Sequence, residues 1–148
     1  MKKLLLTPIA FAFILASQAQ NPIKWTFSAK KIADQTYELT MSADVQSPWH
    51  IYSQDTPDGG PLPTKITFNN NPLIKVEGTP KELGILKEKN EEVFKVKVKY
   101  FKGNADFTQI VKLKSNVKTS ISGTIEFMAC NDEQCLPPNT VSFKVSLQ

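Results

Sequence analysis

Arginine is missing from the 148-residue chain, whose 18 basic residues are all lysine. Because arginine normally dominates specific base contacts, its absence argues against nucleic acid as a partner. The chain also has a single histidine and only two cysteines, which fall short of the four ligands of a tetrahedral zinc site. We therefore expect no nucleic-acid partner, no metal site and no other cofactor.

Long hydrophobic runs are also missing, apart from one near the N-terminus. Two lysines precede an apolar run at residues 4–16, and small residues follow at Ser17 and Ala19. This layout is typical of a secretory signal peptide. The run is shorter than the roughly 20 apolar residues of a membrane-spanning helix, although a retained anchor is the alternative. We predict a signal peptide at residues 1–19 and one exported domain at residues 20–148, with no membrane insertion after cleavage.

Helical periodicity is nearly absent, and alternation of apolar and polar residues dominates the predicted domain. The alternation predicts half-buried strands at residues 25–29, 37–45, 94–100, 121–127 and 141–147. Shorter candidates lie at residues 49–53, 64–68, 73–76 and 109–113, with turn signals such as 58–61 and 103–104 between strands. Eight or nine short strands with regular turns predict an all-β protein, an immunoglobulin-like antiparallel β-sandwich.

Residues 78–92 fit no strand pattern, because charged residues surround a short aliphatic group at their centre. We predict a long loop here. A charged loop is usually solvated, but its aliphatic residues would prefer to lie on an apolar surface. A solvated loop and a functional lid are both consistent with the sequence.

Both cysteines lie between the last two predicted strands, with four residues separating Cys130 from Cys135. In an antiparallel hairpin with this connection they would face each other at a Cα separation of about 4.5 to 5.5 Å, which a disulfide accepts. Export to an oxidising compartment favours pairing. The pair is either a structural staple, which a ring of about six residues makes worth only roughly 2 kcal/mol, or a reversible redox centre.

The charges in the ring bear on how such a centre would react. Asp132 and Glu133 lie between the cysteines, and no lysine is adjacent in sequence. Acidic neighbours raise the pKa of a thiol and so oppose its activation. This environment favours a disulfide that is attacked by the thiolate of a partner.

The segment Cys130-Asn-Asp-Glu-Gln-Cys135-Leu-Pro-Pro138, with Pro48-Trp49-His50-Ile51-Tyr52 upstream, resembles the N-terminal periplasmic domain of the membrane reductase DsbD. The resemblance spans roughly the whole predicted domain. It implies an immunoglobulin-like sandwich that acts as a soluble periplasmic thiol:disulfide relay. The implied electron donor is a thioredoxin-like domain or a CcdA/DsbD-like membrane reductase, and the implied client is a periplasmic disulfide isomerase or another thiol protein.

The resemblance also implies roles for single residues. By position, Cys135 corresponds to the cysteine that forms the mixed disulfide and Cys130 to the one that resolves it, while Tyr52 lies beside the disulfide. His50 falls where many members carry another tyrosine, and spacing puts it on the same strand face as Tyr52; we expect a surface histidine rather than a proton-transfer group. A shielding cap loop is expected within Glu82, Leu83, Gly84, Ile85 and Leu86.

Three departures qualify this reading. The ring has four intervening residues where the best-known members have five, and the cap segment lacks the aromatic tip of the family. The chain ends at Gln148 without a transmembrane or thioredoxin-like region, so we expect a free-standing module. The alternative function is a secreted immunoglobulin-like binding or adhesion module in which the disulfide is inert.

Overall fold

Antiparallel strands form the regular structure of the described residues, 21–92 and 94–148 of a computed structural model. The predicted signal peptide lies outside these residues. The strands are β1 (Ile23–Ala33), β2 (Thr36–Val45), β3 (His50–Tyr52), β4 (Lys65–Phe68), β5 (Ile74–Glu91), β6 (Val96–Leu113), β7 (Thr119–Phe127), β8 (Ala129–Cys130) and β9 (Asn139–Leu147).

Strand β6 organises the larger of two sheets. It pairs with β5 along one edge, while β2 and β3 follow each other along its other edge. Strand β1 extends the sheet beside β2, and β8, which carries Cys130, extends it beside β3. The smaller sheet has the order β4, β7, β9, and its β7–β9 hairpin encloses the cysteine segment, as predicted.

The apolar faces of the two sheets pack together as a sandwich. Alternate residues of β2, from Tyr37 to Val45, point inward and are buried. They belong to one cluster with inward-facing residues of β6, β7 and β9, among them Phe107, Ile125 and Phe143. Burying a side chain of this size stabilises a fold by about 1.5 to 3 kcal/mol. The predicted all-β, immunoglobulin-like sandwich is therefore confirmed.

The predicted loop at residues 78–92 was wrong, because all but the last of these residues belongs to β5. This strand lies at a sheet edge, and residues 83–88 are exposed on both faces. A strand with two solvated faces carries no apolar alternation, so its sequence looks like a loop. Its charges instead pair across the hairpin, as Glu88 does with Lys97.

The predicted turn at Gly103 was also wrong, because β6 continues through it from Val96 to Leu113. Between the pairs Gly84–Ala105 and Leu86–Phe101, β6 has three residues where β5 has one. The extra residues form a bulge, and Gly103 adopts a φ of 82° there. Glycine reaches this conformation without a steric penalty, so the signal marked a bulge rather than a chain reversal.

Gly123 provides a test of the smaller sheet. A Cβ at this position would lie 2.2 Å from the carbonyl oxygen of Thr67 and 2.8 Å from Cζ of Phe143. Because a backbone atom cannot easily move away, we expect Gly123→Ala to lower the free energy of unfolding by about 1 to 3 kcal/mol in urea titrations. Ser142→Ala, at an exposed position of neighbouring β9, is the control and should change it by less than about 0.5 kcal/mol. Equal values for the two variants would contradict this packing.

Candidate active site

The two cysteines form a disulfide at the edge of the larger sheet. They face each other as an antiparallel pair with their Cα atoms 4.0 Å apart, which confirms that the spacing brings them together. Cys130 is only 1% exposed, whereas Cys135 is an exposed residue. The two ends of the bond therefore differ in their access to a partner protein.

Hydrogen bonds within the ring hold its shape. The Asn131 side-chain oxygen accepts bonds from the backbone N–H groups of Glu133 at 2.9 Å and Gln134 at 2.8 Å. The Asn131 N–H donates to the Gln134 carbonyl, and the Leu136 N–H donates to the Ala129 carbonyl, both at 2.8 Å. Asparagine favours turns because its side chain can bond the backbone in this way. The turn is thus stabilised independently of the sulfur atoms.

His50 and Tyr52 lie beside Cys130 on one face of β3, as their spacing predicts. His50 is the cross-strand partner of Cys130, and its Nε2 atom is 3.2 Å from the Tyr52 hydroxyl. The Tyr100 ring lies 4.9 Å from the His50 ring. The expectation of a surface histidine was wrong, since His50 is fully buried. Both faces of β3 are covered, so alternation does not expose either set of side chains.

The disulfide belongs to a second apolar cluster that is separate from the sandwich core. Tyr52, Val98 and Cys130 form its buried part, with Val96, Tyr100 and Met128 packed against them. Their neighbours Ile51, Phe101 and Ala129 instead belong to the core cluster. Because successive residues of a strand point to opposite faces, the cysteine site lies on the outer face of the larger sheet. We refer to it below as the outer cluster.

Two residues of β5 that the sequence did not point to border the outer cluster. Lys89 and Glu91 pair with Val98 and Val96 in the β5–β6 register and form an ion pair at 3.0 Å. The Lys89 ammonium also lies 5.5 Å from the centre of the Tyr100 ring, a cation–π distance. Lys89 and Glu91 come close to the site only because β5 pairs with β6, and the sequence did not predict that pairing.

Burial and charge together change the acid–base behaviour of the site. Burial, reinforced by Lys89 and Lys102, lowers the pKa of His50 to about 4, against smaller opposite effects of Asp132 and Glu91. Burial first, and then Glu91 and Tyr100, raises the pKa of Tyr52 to about 12. Both side chains are therefore neutral at pH 7. The sequence showed only acidic groups near the cysteines, but the fold also brings lysines close to the site.

The predicted cap residues lie in β5. The Glu82 carboxylate accepts bonds from the Ser53 hydroxyl and the Gln54 N–H, each at 2.7 Å. Leu86 pairs with Phe101, Phe101 pairs with Ile51, and Ile51 pairs with Ala129 of β8. Leu86 is therefore about three strand spacings, or roughly 14 Å, from β8. Gly84 and Leu86 pair with the buried residues Ala105 and Phe101, whereas the exposed Leu83 pairs with Asp106 and the exposed Ile85 lies opposite the bulge without a partner.

An open apolar pocket of about 370 Å³ lies beside the cysteine ring, lined in part by Trp49, Phe127, Leu136 and Pro137. Leu136 directly follows Cys135, so the pocket adjoins the exposed end of the disulfide. No group of three or more histidine, cysteine or acidic side chains in residues 21–92 and 94–148 could hold a metal ion. The disulfide thus has an apolar pocket next to its exposed end.

The sequence matches over residues 16–147 a family described as "Thiol:disulfide interchange protein DsbD, N-terminal". The chain belongs to the DsbD N-terminal domain family. This confirms the resemblance seen in the cysteine and tryptophan segments. DsbD family membership and the Cys130–Cys135 disulfide together support a role in thiol:disulfide relay.

A solved DsbD N-terminal domain shares this fold. The Neisseria meningitidis DsbD N-terminal domain in the reduced form is 15% identical, with a TM-score of 0.55 over 84% of this chain and 85% of that chain. A complex of DsbD and PilB N-terminal domains from Neisseria meningitidis gives 16% identity and a TM-score of 0.49, over 80% of each chain. The N-terminal periplasmic domain of ScsB from Proteus mirabilis gives 10% and 0.49, over 84% of this chain and 44% of that chain. No curated protein matches the sequence.

In the described part of this DsbD family member, no helix has the length and apolar composition to cross a membrane.

The buried neutral His50 predicts a pH-dependent stability. Its pKa is about 4 in the folded protein against 6.5 for a free side chain, so the unfolded chain binds the additional proton between these values. The free energy of unfolding should therefore fall as the pH decreases from 6.5 to 4, by on the order of 1 to 3 kcal/mol from this group. Urea titrations of the wild type and His50→Gln should show a flatter pH dependence in the variant. Carboxylates contribute equally to both proteins, so parallel curves would contradict the proposed cause.

Proposed function

We propose that the chain is a periplasmic thiol:disulfide relay, exported by residues 1–19 and active as a soluble domain of residues 20–148. Membership of the DsbD N-terminal family supports the type of chemistry. The observation that carries the proposal is the asymmetry of the disulfide, in which Cys135 is exposed and Cys130 is buried. A disulfide with one accessible end suits exchange with proteins, because the partner can attack only one sulfur.

The exchange begins with a thiolate of a reduced partner. It attacks the Cys135 sulfur, a partner–Cys135 disulfide forms, and the Cys130–Cys135 bond breaks with Cys130 leaving as a thiolate. A second thiolate of the partner then attacks its own sulfur in the mixed disulfide and releases Cys135. The partner has lost two electrons and the domain has gained them. In the second half of the exchange, the Cys135 thiolate attacks a client disulfide and one client sulfur leaves as a thiolate. Cys130 then attacks the Cys135 sulfur of this mixed disulfide, which releases the reduced client and restores the Cys130–Cys135 bond.

The partners follow from this chemistry and from the family. The donor is a dithiol protein, either a thioredoxin-like domain or a CcdA/DsbD-like membrane reductase. The client is a periplasmic disulfide isomerase or another thiol protein. The apolar pocket that adjoins Cys135 offers a contact surface for residues around the reacting cysteine of such a protein.

The cap segment has a defined place in this proposal. Leu83 and Ile85 expose apolar side chains, and the hydrogen bonds that Glu82 accepts from Ser53 and Gln54 fasten this part of β5 to the segment that follows β3. We propose that the segment limits which proteins approach the disulfide. In this proposal the cap segment is part of the edge strand β5 and not a separate loop.

Covalent trapping tests the direction of attack. Cys130→Ser leaves Cys135 with no resolving thiol, so we expect stable mixed disulfides with thioredoxin-like proteins in periplasmic extracts, visible on non-reducing gels and identified by mass spectrometry. Cys135→Ser is the matched control, and it should trap at least about tenfold less because Cys130 is buried. Equal trapping, or no thioredoxin-like protein trapped by Cys130→Ser, would count against the relay.

The reduction potential separates the relay from a binding module with an inert disulfide. We expect a value within the range of exchange proteins, roughly −120 to −270 mV, measured by equilibration with glutathione or dithiothreitol. A structural disulfide typically lies below about −300 mV. A value in that lower range, with a bond that resists excess dithiothreitol in the folded state, would favour the binding module.

Export can be tested on the same material. Mass spectrometry of the protein recovered from the periplasm should give a mature chain that begins at Gln20, because signal peptidase reads the small residues before it. A chain that keeps residues 1–19 and sediments with membranes would indicate a retained anchor.

A further inference from the structure

His50 has one ring nitrogen with a partner and one without. Its Nε2 atom is 3.2 Å from the Tyr52 hydroxyl, whereas its Nδ1 atom is buried and has no hydrogen-bond partner. A buried polar atom without a partner costs free energy, so each such atom in a folded protein calls for an explanation. The position of the ring supplies one.

The unpaired nitrogen lies on the side of the ring nearest to the backbone of β3, where the neighbouring strand carries Cys130. His50 and Cys130 are direct cross-strand partners, and such partners have Cβ atoms about 4.5 to 5.5 Å apart on the same face. In the imidazole ring Nδ1 is closer to Cβ than Nε2 is. Cys130 therefore carries the reactive group directly opposite His50 on the neighbouring strand.

A disulfide sulfur is a poor hydrogen-bond acceptor, but a thiolate is charged and accepts a stronger, charge-assisted bond. In the oxidised state the Cys130 sulfur is part of the disulfide and is a weak acceptor, which explains why Nδ1 has no partner there. We infer that the Nδ1–H group of His50 donates a hydrogen bond to the Cys130 sulfur when the disulfide opens, and so stabilises the leaving thiolate. This inference rests on the proposed relay and deepens its first step.

The protons balance without any further reactant. The partner thiolate supplies the electron pair of the new bond to Cys135, and Cys130 departs with the pair of the broken bond. Neutral His50 keeps its single proton on Nδ1, while the Tyr52 O–H donates to Nε2. The line of donors runs from Tyr52 to His50 to Cys130. When Cys130 attacks the mixed disulfide and the ring closes, the Nδ1 bond is released and no proton is lost.

The charged and titratable groups around His50 come from each packed element. Lys89 and Glu91 face it from β5, Tyr100 and Lys102 from β6, Tyr52 from β3 and Asp132 from the cysteine ring. Burial of the ring, and after it the two lysines, lowers the pKa of His50 and keeps the ring neutral. A neutral ring still has one N–H group to donate, so the bond does not require a charged histidine.

The composition of the chain makes the first test unambiguous. His50 is the only histidine, so nitrogen NMR of tag-free protein labelled at histidine reports this ring alone. Reduction of the wild type with dithiothreitol at pH 7.5 should give a protonated, hydrogen-bonded Nδ1 with a shift distinct from that of the oxidised protein. If the Nδ1 signal and the Nε2 signal each stay unchanged between the oxidised and the reduced protein, the inference is overturned. This measurement needs no substitution at all.

The second test measures the Cys130 thiolate directly. In Cys135→Ser protein, Cys130 is the only thiol, and its thiolate absorbs at 240 nm. Adding His50→Phe should lower the thiolate-to-thiol ratio about tenfold at pH 8, because a bond to the thiolate favours the charged form. His50→Asn, which keeps an N–H donor near the ring position, should recover most of the ratio. An unchanged ratio in His50→Phe would overturn the inference.

Val98→Ala is the matched control, because Val98 is a buried member of the outer cluster that offers no hydrogen bond. It should change the ratio by less than about twofold, whereas an effect as large as that of His50→Phe would assign the change to packing and overturn the inference. If His50→Phe does not fold, the NMR measurement and the His50→Asn comparison still decide. A redox-dependent Nδ1 bond in a protein that traps no partner would support this bond while refuting the relay.

Discussion

The two-residue period of β3 and β6 is the constraint on which both the core and the cysteine site depend. Ile51 and Phe101 are partners that face the sandwich core, and the next pair, Tyr52 and Tyr100, faces outward. A shift of one residue would exchange the two faces. The packing that stabilises the core therefore also determines which aromatic groups surround Cys130.

The ring between the cysteines is built so that it can open without loss of its surroundings. Its turn rests on the Asn131 side chain and on two backbone bonds, none of which involves sulfur. In the loop-entropy model, a ring this small adds only roughly 2 kcal/mol to stability. The hydrogen bonds that place Cys135 opposite Cys130 therefore do not depend on the disulfide. The disulfide closes a short ring and does not join distant parts of the chain.

Sequence patterns predicted the elements that have one buried and one solvated face. Strands β2, β7 and β9 alternate cleanly because their inner faces pack in the core, and the cysteine pair was predictable because its contact is local. The patterns failed where burial is not one-sided. Most of β5 is exposed on both faces, and β3 is buried on both, which is why a strand was mistaken for a loop and His50 for a surface residue.

The electrostatics of the site could not be predicted from sequence for a different reason. Lys89 and Lys102 are 41 and 28 residues from Cys130 in the numbering, and they reach His50 only because β5 and β6 form one long hairpin. Neighbours in sequence gave an acidic environment, whereas neighbours in space give a mixed one. Charge arguments of this kind need the strand pairing first.

The separation of the outer cluster from the sandwich core has a consequence for how this protein can change over generations. Among the residues that the structure describes, most of the buried apolar ones belong to the core cluster, and three belong to the cluster that holds Cys130. Replacements in the outer cluster thus remove apolar contacts from the smaller cluster and leave the side chains of the core cluster in place. Substitutions at this face can therefore change reactivity and partner choice during evolution without a change in the core cluster.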